Sequence, residues 1–100
     1  MTKPPDDVIV LAIRSISGEI TRSMRMIAFQ FDGNSAMFRY YMDSEPTDDE
    51  REMAEIVALN FDAGLPTTLS SVGVEFVVTN DPLGRLDVLD FGLYRRWEAT

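Results

Sequence analysis

The segment from Asp43 to Gly64 has a marked helix start, a marked stop and one strongly acidic end, and the rest of the chain must fold around it. Thr47 followed by Glu50 has the spacing of a capping box. Pro46 stands just before it, and acids fill the first turn, where the helix dipole favours them. Gly64 offers a left-handed residue to end the helix, and Pro66 prevents its resumption. Met53, Ile56, Val57 and Phe61 form its apolar side, while Glu52, Glu55 and Asp62 are left to solvent. Between Asp43 and Glu55 stand seven acids (Asp43, Glu45, Asp48, Asp49, Glu50, Glu52, Glu55) and one base, Arg51. That patch holds most of a net charge of −8, so any account of function has to explain it.

Read in order, the remaining segments supply a partner for this helix. Residues 1–5, with Pro4 and Pro5, read as a loose leader, and Asp6 or Asp7 can cap a first helix. Ile9, Ile13, Ile16 and Ile20 recur at four, three and four residues, a helical stripe widened by Val8, Leu11 and Ala12. Gly18 ends it. Met24 to Phe31 and Ala36 to Asp43 alternate as strands, joined at Asp32-Gly33, a strong hairpin signal. Ile27, Phe29 and Phe31 share a face with Phe38, Tyr40 and Met42. After the acidic helix, Val72 to Asn80 reads as a β-branched strand. Asp81-Pro82-Leu83-Gly84-Arg85 is a turn, and Leu86 to about Trp97 a last strand, so the second pair also reads as a hairpin.

Two one-sided helices and four strands in the order α-β-β-α-β-β have a natural solution. The expectation is an α+β two-layer sandwich forming a single domain over residues 1–100. Both helices pack on one face of a four-stranded, mainly antiparallel sheet. The far face then stays open, carrying Arg39, Tyr41, Glu75, Thr79, Asp90, Tyr94 and Arg96.

Composition removes most chemistry. A chain of 100 residues without Cys or His has no disulfide framework, no thiolate metal site and no Ser-His or Cys-His nucleophile. The acids at the helix start are exposed, so nothing separates their pKa values for acid–base work. They also lack the alternating pattern of a calcium loop, and no glycine-rich phosphate loop is present. No catalytic residue, cofactor or metal is expected. The negative charge opposes nucleic acid and anionic membranes as partners and favours a basic macromolecule. The apolar run from Val8 to Ile13 is too short to span a bilayer and lacks the flanks of a signal peptide, so the reading is a soluble cytoplasmic protein. Recognition of a protein remains, with Asp43, Glu45, Asp48, Asp49, Glu52 and Glu55 as the charged contacts. Tyr41, Tyr94 and Trp97 are the candidate aromatic anchors. The plainer alternative is an acidic adaptor or accessory subunit whose charge serves solubility as well.

Three stretches are similar to one family. Ile16-Ser17-Gly18-Glu19-Ile20 through Met24-Arg25-Met26-Ile27 is one. Phe38-Arg39-Tyr40-Tyr41-Met42-Asp43 with Glu45-Pro46-Thr47-Asp48-Asp49-Glu50 is the second, and Leu93-Tyr94-Arg95-Arg96-Trp97-Glu98 the third. Together they resemble the CdiI-type immunity proteins of contact-dependent growth inhibition systems, over roughly Val8 to Glu98. The resemblance implies a protein that binds the toxic C-terminal domain of a cognate toxin, often a nuclease, in the cytoplasm of the producing cell. A nuclease must hold phosphates and is therefore basic, which agrees with the acidic patch. Contact residues of that family do not transfer to positions here.

Overall fold

The computed structural model describes residues 3–99. Its elements are α1 (Asp6–Ile16), β1 (Met24–Phe31), β2 (Ser35–Met42), α2 (Asp48–Gly64), β3 (Ser71–Val78) and β4 (Phe91–Arg95), with a short 3-10 turn at Leu83–Arg85. The expected order and class are present. Of the leader, Met1 and Thr2 lie outside the described residues; Pro4 is buried and Pro5 takes the N-cap position of α1. Neither Asp6 nor Asp7 caps α1; both fall in its first turn.

The Asp32-Gly33 hairpin forms as read. Gly33 adopts φ 92°, and the Asp32 carboxylate accepts the amides of Asn34 and Ser35 at 2.8 and 2.7 Å. Register then sets Phe29 opposite Phe38 and Ile27 opposite Tyr40. The same face receives Val72, Val74 and Phe76 of β3. Val8, Ala12 and Ile16 of α1, with Ala54, Val57 and Phe61 of α2, close the core above it. Phe61 is its hub: its ring meets Phe29 at 5.3 Å, Phe38 at 5.5 Å and Phe31 at 6.4 Å between centroids, edge to face each time.

The two ends of α2 differ in what holds them. The Thr47 side chain accepts the Glu50 amide at 3.1 Å, and Glu50 accepts the Thr47 amide at 2.9 Å, completing the capping box. Thr47→Ala is expected to lower unfolding free energy by about 1–2 kcal/mol in urea denaturation, with Thr47→Ser retaining most of it. Equal stability of the alanine variant would show that packing alone holds the helix start. At the other end Gly64 is the last helical residue and is not left-handed; the glycines with positive φ are Gly18 and Gly33. Gly64 matters for space, because a Cβ there would lie 2.7 Å from Leu11 Cδ1. The two helices are in close contact at this point.

That contact also explains why the isoleucine stripe is only half buried. Leu11 turns toward α2, which rolls α1 so that Val8, Ile9, Ala12 and Ile16 face inward. Ile13 (42% exposed) is left at the flank, whereas Ile20 (38%) lies beyond the helix, which ends at Ile16 and not at Gly18.

The second hairpin does not form. Sheet order is β3-β2-β1-β4, with β2 and β3 parallel and the other two pairs antiparallel, so β3 and β4 occupy opposite edges. Asp81-Pro82 does turn the chain, but into the 3-10 turn, where Arg85 N and Leu86 N donate to Pro82 O and Leu83 O. The chain then runs beneath the sheet. Leu83, Leu86 and Leu89 pack on Met26, Ala28, Tyr41 and Val77. The face expected to be open is therefore covered around Tyr41, while Arg39 and Glu75 keep part of their exposure, and the last strand is shortened to five residues.

Candidate partner-binding surface

α2 projects the acids from the structure because its cap and core contacts fix both its start and its roll. Asp48, Glu52 and Glu55 recur at four and three residues on the side opposite Val57 and Phe61, forming one solvent strip. Asp49 and Glu45 flank it, and all five are exposed. Among the described residues Asp48, Asp49, Glu52 and Glu55 make no ion pair. Glu45 makes only a long one, 3.8 Å to Arg51. Glu50 is withdrawn from the surface. Burial pushes its carboxyl up, but hydrogen bonds from Thr21 and Thr47 outweigh this and hold it below the usual range.

The acids are interleaved with aliphatic side chains. Ile56, expected to face the core, lies about 100° around the helix from Val57 and is 44% exposed. Leu59, not among the apolar positions expected on this helix, is 67% exposed. Its position four residues after Glu55 was the available signal. Exposed aliphatics among unpaired acids combine a contact that can be desolvated with a field that selects basic partners.

The tyrosines do not join this surface. Tyr41 is buried beneath the crossing segment, and its hydroxyl donates to Asp87 O at 2.8 Å while accepting from Arg39 Nη1 at 3.2 Å. Tyr94 is half-buried and faces the helix layer opposite Ile27. A register shift between Ile27 and Ala28 reverses the alternation of β4 there, so both Leu93 and Tyr94 touch the core. Trp97, by contrast, is 86% exposed. It borders a cleft of about 630 Å³ with Arg25, Pro82, Leu83 and Arg95.

Asp43, the first acid of the patch, belongs to a clamp. Its carboxylate accepts Arg96 Nη1 at 2.8 Å. Arg96 also reaches Glu98 at 2.7 Å, and Glu98 accepts both Nε (2.9 Å) and Nη2 (2.8 Å) of buried Arg25. Arg25 Nη1 donates to Thr79 O at 2.8 Å. The clamp thus ties the end of the chain to β1 and to the exit of β3. The Arg25 guanidinium, with Arg96 beside it, holds the Glu98 carboxyl down at about 2. A carboxyl lowered on folding stabilises the fold fully above the ordinary carboxylate range. The contribution is lost as pH falls through about 5 toward 2. The thermal midpoint is therefore expected to fall across that window, and Glu98→Gln to lower it at neutral pH and flatten the acid limb. An unchanged acid limb in Glu98→Gln would assign the loss to other carboxylates.

A family model for the MafI2 immunity proteins matches residues 5–98. The chain belongs to the MafI2 immunity protein family. No curated protein matches it. Membership makes it a bacterial toxin-immunity protein with a toxin as its partner, the class that the resemblance to CdiI-type proteins implied. No helix among the described residues is long and apolar enough to cross a membrane.

Proposed function

We propose that this MafI2-family protein binds the toxic domain of its cognate toxin in the cytoplasm of the producing cell and neutralises it as an inhibitor, not as a catalyst. The acidic strip of α2, led by Asp48, Glu52 and Glu55, is set against a basic surface of the toxin, with Asp43, Glu45 and Asp49 at its margin. Ile56 and Leu59 supply the desolvated centre. The observation that carries this reading is that exposed Asp48, Asp49, Glu52 and Glu55 make no ion pair among the described residues and stand around two exposed aliphatics, in a member of an immunity family. Such a surface suits a nuclease, whose own site must be positive to hold phosphates. Delivery of the toxin by cell contact, as the likeness to CdiI-type proteins implies, belongs to the same reading.

The test is capture of partners from the producing strain with this chain as bait, at rising salt. A basic toxin domain should be retained at about 0.05 M salt and weaken toward about 0.5 M, as screening shortens the reach of charge. Capture of a toxin domain indifferent to salt would reject the acidic strip as the contact. Capture of a housekeeping enzyme alone would reject a toxin as the partner.

A further inference from the structure

Arg51 is the one base among the seven acids between Asp43 and Glu55, and it does not sit as a neutralising charge would. Asp48 lies three residues before it and Glu55 four after, the spacings at which opposite charges on a helix pair. Arg51 pairs with neither. Its one ionic contact among the described residues is the long one to Glu45, 3.8 Å. Elsewhere in the chain Arg25, Arg39 and Arg96 each hold a carboxylate at 2.8–2.9 Å. The Arg51 guanidinium lies instead over the Phe76 ring, 5.5 Å from its centroid, within the range of a cation–π contact. Phe76 stacks in turn on Tyr40 at 5.3 Å, and Tyr40 is fully buried. The cation thus rests on a platform rooted in the core, yet its side chain is exposed and donates no hydrogen bond among the described residues. Its place brings the helix little, because the dipole disfavours a cation near a helix start. Relief of repulsion among the acids would be better served by the pairs it leaves unmade.

We infer that Arg51 is a specificity determinant for the toxin: its guanidinium takes a carboxylate that the toxin presents within the basic surface facing the acidic strip. This role rests on the α2 strip being the contact. A planar fork of unfilled donors, already held in place by stacking, matches the two oxygens of a carboxylate and loses little rotamer freedom on binding. The acids decide which sign of surface is attracted, and Arg51 decides which basic surface fits. A toxin with lysine or arginine at that point meets like charge and is refused. One with an apolar side chain there leaves the guanidinium desolvated without a partner.

A merely neutralising Arg51 and a recognising one have opposite signs in a binding measurement. Where charge alone counts, Arg51→Gln makes the patch more negative and tightens binding to a basic domain. Recognition of a carboxylate requires that Arg51→Gln weaken binding at least about tenfold. Arg51→Lys keeps the charge but not the fork, and should restore less than half of that loss on a logarithmic scale. Calorimetric titration with the toxin domain captured from the producing strain measures both variants, with circular dichroism as the control for folding. The variant with Asp48, Glu52 and Glu55 replaced by lysine is titrated beside them. Arg51→Gln binding as tightly as wild type, or more tightly, would overturn the inference, and Arg51→Lys binding as wild type would overturn the fork. Weak binding by the lysine variant with no loss in Arg51→Gln leaves the strip standing and removes Arg51. Wild-type binding by the lysine variant with a loss in Arg51→Gln removes the strip and leaves the contact at Arg51.

Discussion

Replacing Asp48, Glu52 and Glu55 together by lysine is expected to weaken binding of the cognate toxin domain at least about a hundredfold, most of it in the dissociation rate. Three unpaired negative charges become three positive ones opposite a basic surface, so attraction is lost and repulsion added. The fold should survive, because all three side chains are exposed and α2 is held by Ala54, Val57 and Phe61 from below. Asp48→Lys forfeits a favourable charge in the first turn, a small loss beside the intact capping box. Calorimetric titration of the captured toxin domain, with circular dichroism as the control, checks this. Affinity within about threefold of wild type would leave the strip only a solubilising surface.

Phe61→Ala carries the largest effect on stability. Phe61 is fully buried and touches three other phenylalanine rings. Truncating it removes that contact and leaves a cavity, at a cost of about 3–5 kcal/mol. Domains of this size have about 5–15 kcal/mol in total, so the thermal midpoint should fall by roughly 15–30 °C. Phe61→Leu, which keeps much of the volume, should lose less than half as much. A loss below about 1 kcal/mol for the alanine variant in urea denaturation would mean that the core closes around the gap and that Phe61 is no hub. Toxin binding falls with it only as α2 loosens, which separates this variant from the charge reversal.

Local chemistry was legible in the sequence wherever one short segment decided it. The Asp32-Gly33 turn and the Thr47–Glu50 box each act within four residues, and both formed as read. Alternation placed the inward side chains of β1 and β2 correctly, because register follows from one buried face. Errors arose where a distant segment decides. The turn at Asp81-Pro82 is the same whether the chain folds back or crosses beneath the sheet. The crossing succeeds because Leu83, Leu86 and Leu89 find Met26, Ala28 and Tyr41 there, and that burial takes Tyr41 off the surface. Leu89 even adopts φ 60° within the crossing, a conformation that no propensity would assign to leucine. α2 does stop at Gly64, but without the left-handed turn expected there; the glycine is required by its contact with Leu11, a residue distant in the sequence.

The candidate site divides in the same way. The acids gather because they are neighbours on one helix, which sequence shows. That Glu50 turns inward to its hydrogen bonds, that Asp43 is held by Arg96, and that Ile56 and Leu59 stand outside follow from the roll of α2 on the sheet.

The most direct measurement is amide hydrogen exchange of this chain with and without its toxin domain, followed by mass spectrometry. The account predicts slowed exchange along residues 43–59, from the end of β2 through the exposed face of α2, with the crossing segment 79–90 unaffected. Protection confined to the cleft beside Trp97, with α2 exchanging as in the free protein, would contradict it.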